Sequence, residues 1–262
     1  MSRTFPIACK CLASCLLMAL ACSPGAKKSD QSVNPAQPPV PPAFHVDAST
    51  AGSISGIIRF TGKRPAARKI DMSGDPACVD AHHGKAVDES LVVSPNGGLA
   101  NAFIYVKLGL EGKRFDPPST PVTIDQNGCW FHPRVLGILV KQELAVTNSD
   151  PVTHNIHPMA QINRDWNHSQ GAGDPPLERR FIKPEVMIRV KCNIHNWMHA
   201  YIGVVDNPYF AVSKEDGSYT IQNLPPGLYN IGIWQENLGV QERQVTVVPH
   251  ANTQQNITFK GQ

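Results

Sequence analysis

The sequence predicts an all-β protein of the sandwich type, and three observations carry this. From residue 52 onward, short runs of alternating apolar and polar residues are separated by Gly, Pro and Asn/Asp turns. The 262 residues include 23 Pro and 20 Gly against 41% apolar residues, a balance that suits a loop-rich sheet protein better than a helical bundle. No segment carries the 3.6-residue apolar period of a long amphipathic helix.

The N-terminus reads as a signal peptide over 1–21. Arg3 and Lys10 supply positive charge, "CLLMALA" is a short apolar run, and small residues precede Cys22. The run is too short to span a bilayer as a stable anchor. "ALAC" (19–22) resembles a bacterial lipobox, with cleavage before Cys22 and a lipid on its sulfur, although Ala19 stands where that pattern prefers Leu. A plain secreted protein cut at the same bond is the alternative. Acylation would tether the chain to a membrane surface without crossing it. Residues 22–51 then form a lipidated linker; "SPGAKKSDQSVNPAQPPVPPAF" (23–44) has six prolines and no apolar period, as expected of a disordered spacer. Arg3 and Lys10 account for two of the +3 formal charges, so the body is nearly neutral and no basic stripe points to nucleic acid.

Candidate strands are 53–60, 102–108, 121–126, 137–141 and 143–148, then 185–192, 200–206, 209–213, 218–224, 227–236, 243–248 and 256–260. "EDGSYTIQNLPPGLYNIGIWQENL" (215–238) joins a DG turn, a strand, an LPPG turn and a second strand. With "GSISGIIRFTGKRP" (52–65) and "LANAFIYVKL" (99–108), it resembles the carboxypeptidase regulatory-like domain, a small transthyretin-like sandwich with no catalytic residues of its own. The resemblance implies a host sandwich of 52–112 plus 207–260, interrupted by an inserted domain at 119–206.

After signal removal and with Cys22 as the lipid site, Cys78, Cys129 and Cys192 remain. In an oxidising compartment Cys78 and Cys129 most simply form a disulfide joining host to insert. It would close a loop of about fifty residues, which the chain-entropy treatment values at about 4 kcal/mol before strain. The competing reading is a second metal site, since His82 and His83 follow Cys78 and His132 follows Cys129. Trp130, Trp166 and Trp234 read as packing residues.

Cys192 opens "CNIHNWM" (192–198). Alternation along "EVMIRVKC" places Val186, Ile188, Val190 and Cys192 on one face and Met187, Arg189 and Lys191 on the other. Upstream, "ELAVTNSDPVTHNIHP" (143–158) ends a strand in an Asn-Ser-Asp-Pro turn before His154. One thiolate, two imidazoles and a weak thioether are the donor set of a mononuclear electron-transfer copper site. A buried packing thiol is the plain alternative for Cys192, and Met159 competes with Met198 as the thioether. His157 lies out of phase with such a site and is expected to point away.

At these residues the segment 119–206 resembles a cupredoxin, most closely of the amicyanin or plastocyanin-like type. That family spaces Cys, His and Met with two residues in each gap, as in Cys192, His195 and Met198, and follows its first histidine with Asn, an aliphatic residue and His, as in "HNIH" (154–157). The resemblance implies a Greek-key sandwich holding one copper ion through His154, Cys192, His195 and axial Met198, with Asn155 tying the two ligand loops together. Three departures stand out: Asn196 replaces a Pro, Trp197 replaces a Phe, and "QINRDWNHSQGAGDPPLERR" (161–180) is inserted near the copper end.

The expected protein is a blue-copper electron carrier and not an enzyme. It would be a periplasmic, outer-membrane or cell-surface lipoprotein of a bacterium. Its partner would be a c-type cytochrome or a periplasmic or membrane oxidoreductase, met through the exposed ring edge of His195 in a patch with Trp197, Pro158 and Met159; His199 would lie at the surface or on the docking rim. A copper chaperone or store, and a metal-free structural lipoprotein, are the alternatives.

Overall fold

The structure is a computed structural model that describes residues 41–261; the signal peptide, Cys22 and most of the linker lie outside those residues. The last part of the linker differs from the expected spacer. Phe44 donates its N–H to the Arg114 carbonyl at 2.6 Å, and its ring meets Phe115 edge-on with centroids 5.7 Å apart. An aromatic side chain can bury enough surface to hold such a short segment.

The chain runs through β1 (Gly52–Thr61), a short helix α1 (Pro76–Ala81) and β2 (Phe103–Leu108). It continues through β3 (Val122–Asn127), β4 (Trp130–His132), β5 (Val135–Leu139), β6 (Glu143–Asn148) and β7 (His154–Pro158). Next come β8 (His168–Gln170), β9 (Leu177–Arg180), β10 (Glu185–Lys191) and β11 (His199–Val205). The remaining strands are β12 (Phe210–Val212), β13 (Ser218–Leu224), β14 (Gly227–Gln235), β15 (Gly239–Val247), β16 (Asn252–Gln254) and β17 (Ile257–Lys260).

These strands form four sheets whose shared cores place them in layers. The first has the order β13-β1-β16 with β17 also on β1, and the second runs β12-β2-β14-β15. The third runs β5-β11-β10-β7-β8 and the fourth β4-β3-β6-β9. One core lies between the first two sheets, built from Ile54, Ile58, Ile221 and Phe259 against Ile104, Val106, Ile231 and Ile233. Another lies between the last two, built from Ile138, Ile188, Val190 and Ile202 against Ile124, Phe131, Leu144 and Val146. The period-two alternation of each strand supplies both faces.

The middle layers also face each other. Phe103 and Tyr105, on the reverse face of β2, pack with Phe210 and Trp234 against Val135, Tyr201 and Val205. Two glycines make room for the rings. A Cβ on Gly137 would sit 2.2 Å from Phe210, and one on Gly203 would sit 2.5 Å from Phe103. Bare backbone lets aromatic faces lie flat on the sheet. Burying a Phe contributes about 2–3 kcal/mol, so this third core joins the two pairs of sheets firmly.

Two details correct the alternation expected for β10. Its register against β11 shifts between Glu185 and Ile188, a bulge that leaves Val186 38% exposed instead of inward. The opposite face is not simply solvent, because Met187 packs into the middle core.

Candidate metal centre

The site lies where β7 and the loop between β10 and β11 meet. From Ile188 onward the inward row is intact, with Ile188, Val190 and Cys192 all buried. Pairing of β10 with β7 sets Val190 opposite Pro158 and Lys191 opposite His157, which brings the start of β7 beside Cys192. The seven-residue loop folds back on itself: Cys192 N–H donates to the Met198 carbonyl at 3.1 Å, and Met198 N–H donates to the His195 carbonyl at 3.0 Å. Asn155 ties the loops, its side-chain oxygen accepting the Asn193 N–H at 3.2 Å.

His154, Cys192 and His195 are buried, and their donor atoms all lie within 4.8 Å of one another. The two Nδ1 atoms face each other at 3.0 Å, and Nδ1 of His195 is 4.0 Å from the Cys192 sulfur. That sulfur accepts the N–H groups of Ile194 at 3.4 Å and His195 at 3.3 Å. Met198 is fully buried, whereas its competitor Met159 is 40% exposed. His157 turns outward to Asp165, its Nε2 2.9 Å from the carboxylate.

Each outer nitrogen has a carboxylate. Nε2 of His154 meets Asp150 Oδ2 at 2.7 Å, and Nε2 of His195 meets Asp75 Oδ2 at 3.1 Å. A carboxylate accepts, so each Nε2 atom carries a proton and the two Nδ1 atoms turn inward toward each other. Burial pushes His154 below its ordinary 6.5, against the pull of Asp150, which favours the neutral ring. Two ring nitrogens 3.0 Å apart need a proton or a metal ion between them, since bare lone pairs would repel. With the thiol beside them, the donor set fits a soft or borderline metal ion such as copper.

Asp150 and Asp75 are the residues sequence reasoning missed. Asp150 sits in the Asn-Ser-Asp-Pro turn, where its N–H donates to the Asn148 side chain at 3.1 Å. Its two oxygens also accept Gly128 N–H and Cys129 N–H, each at 2.7 Å. Its place four residues before His154 was the available signal. Asp75 is the N-cap of α1, accepting Ala77 N–H at 3.0 Å with Pro76 next to it. Its only signal was closeness to Cys78.

Cys78 and Cys129 form a disulfide with a Cα–Cα distance of 5.5 Å, so both sulfurs are used and the second metal site is set aside. The nearby His82 instead donates Nε2–H to the Gly128 carbonyl at 2.6 Å. The bridge holds α1 over the candidate ligands: Cys78 sulfur is 3.9 Å from Nε2 of His195. This corrects the expected surface. The His195 ring is only 4% exposed, because α1 and Asp75 cover the edge that was to meet a partner, and Pro158 is buried too.

Trp197 also packs against His195, with ring centroids 5.1 Å apart and planes tilted by 37°. His199 is half-buried; its Nδ1–H donates to the Trp197 carbonyl at 2.9 Å and its Nε2 faces Arg134 and Glu236. Arg134 and Glu236 form a buried ion pair, Nε to Oε1 2.7 Å, between the start of β5 and the end of β14.

No protein-family model and no curated protein matches the chain. Among solved structures, the chain is similar to a Cu-containing nitrite reductase from Thermus scotoductus, at 23% identity over 38% of this chain and 25% of that one, with a TM-score of 0.31. It is also similar to an amicyanin variant in the Cu(I) state, at 14% identity over 32% of this chain and 82% of that one, TM-score 0.29. A purple cupredoxin from Nitrosopumilus maritimus is matched at 22% identity over 32% of this chain and 99% of that one, TM-score 0.28.

Proposed function

We propose that this protein is a single-copper electron carrier, held at a bacterial membrane surface by a lipid on Cys22. The observation that supports it best is the convergence of both Nδ1 atoms, 3.0 Å apart, beside the Cys192 sulfur, each ring fixed by a carboxylate behind it. His154, Cys192 and His195 would hold the ion, with Met198 as the weak fourth donor. Copper supplies a one-electron couple there. The chain's own part is to keep both imidazoles oriented, to hold the Cys192 sulfur in place through two N–H groups, and to exclude water by burial.

The first two sheets, read as a carboxypeptidase regulatory-like host, carry the other two sheets without chemistry of their own. The partner in this reading is a c-type cytochrome or a periplasmic or membrane oxidoreductase. One observation favours a second reading, a copper chaperone or store: the covered ring edge of His195 removes the usual route for electron exchange.

Copper(II) added to the signal-free protein separates these readings. An intense visible band, with the matching electron paramagnetic resonance signal, that disappears in Cys192→Ser supports the carrier. A colourless protein retaining copper(I) supports handling, and no binding at all leaves a structural lipoprotein.

A further inference from the structure

With the His195 edge covered, another surface has to meet a partner. We propose that Trp197, at the floor of a positively charged cleft, is the contact through which an acidic redox protein couples to the metal centre. This rests on the carrier reading and names its docking surface.

Three observations lead there. The indole packs against the ring of His195, with centroids 5.1 Å apart. Trp197 lines a cleft of about 460 Å³, walled by Arg68, Lys69, Arg134 and Arg189 together with Asp71 and Asp88. Nε1 of Trp197 is buried with no hydrogen-bond partner among the described residues.

The charges in the cleft do not cancel. Arg68 pairs with Asp88 at 2.9 Å, and Arg134 pairs with Glu236. Lys69 and Arg189 have no carboxylate partner among the described residues. Asp71 accepts the Ser73 N–H at 2.9 Å and keeps its own negative charge. Lys69 and Arg189 against Asp71 leave the lining with one net positive charge, which suits a partner presenting carboxylates. Oriented charge at a cleft raises the encounter rate more than the affinity.

The test uses two small oxidants of opposite charge on the copper(I) protein: hexacyanoferrate(III), and the cationic tris(phenanthroline)cobalt(III). Each takes one electron and no proton or group moves. In the Lys69→Glu/Arg189→Glu double variant the anionic oxidant should slow about tenfold and the cationic one should speed up, with the visible spectrum unchanged. Trp197→Leu should lose rate with both oxidants after correction for any change in potential. Unchanged rates in both variants would overturn the proposal.

A second arm needs no copper. Hexacyanochromate(III) is redox-inert and paramagnetic; titrated into the copper-free protein, it should broaden the Trp197 indole N–H and the Lys69 and Arg189 amides. Broadening centred on Ile194 and Met159 instead would place the docking surface elsewhere. If no coloured site forms but Trp197 broadens, the carrier reading falls while the anion-docking cleft stands.

Discussion

Asp75 and His195 are 120 residues apart in the chain and 3.1 Å apart in space, the carboxylate of the first accepting from the outer nitrogen of the second. One side chain therefore both starts a helix and orients the ring of a candidate ligand. Asp75→Asn keeps a good helix cap but removes the negative charge behind the ring. Copper(II) affinity should fall roughly tenfold to a hundredfold, and the reduction potential should rise because the oxidised ion loses support. Competitive titration and potentiometry read both; unchanged values would mean that the contact does not shape the site.

The two histidines of "HNIH" should behave oppositely. His154→Ala removes a buried donor and should abolish the intense visible band. His157→Ala loses only an outward contact to Asp165 and should leave the band in place. A band that survives the first change would show that the upstream ligand lies elsewhere.

The Cys78–Cys129 bridge spans 51 residues and holds α1 on the site. Replacing both cysteines with serine should lower stability by about 2–4 kcal/mol, read by thermal or denaturant unfolding. The same variant should speed solvent exchange of the His195 Nε2 proton, measured by nuclear magnetic resonance. Exchange as slow as in the parent would show that α1 stays seated without its bridge.

The Arg134–Glu236 pair gives a pH dependence with a definite sign. Burial pushes the Glu236 carboxyl up, but hydrogen bonds from His199 and Arg134 outweigh it and hold it below its ordinary 4.5. A depressed carboxyl contributes stability that is fully present above 4.5 and is lost as pH falls through the lowered value. Glu236→Gln should remove that part of the acid dependence and cost about 3–5 kcal/mol at neutral pH, because Arg134 is left buried and unpaired. Arg134→Met with Glu236→Leu should recover most of the loss in the same unfolding assay.

How much of this could be read beforehand depends on how local the signal is. Cys192, His195 and Met198 fall within seven residues, so spacing alone marks them as one donor group. The apolar strands were legible for a similar reason, since alternation is a property of neighbours. Strand β7 was not, because its run His-Asn-Ile-His-Pro is polar and its place comes from pairing with β10 and β8. β8 and β9 hide in a charged insertion for the same reason. The cover over His195 was the least legible part. Asp75 caps a helix that the sequence reading did not anticipate, and only a tertiary contact gives it a second role.

The aromatic rings seated on Gly137 and Gly203 have a consequence for anyone who would cut the molecule down. A fragment limited to 119–206 would bare the flank that Phe103 and Phe210 now cover, and it would shed α1 with its aspartate. Such a piece would be sticky on one side and open at His195 on another. Measurements on it would describe a different object from the intact chain.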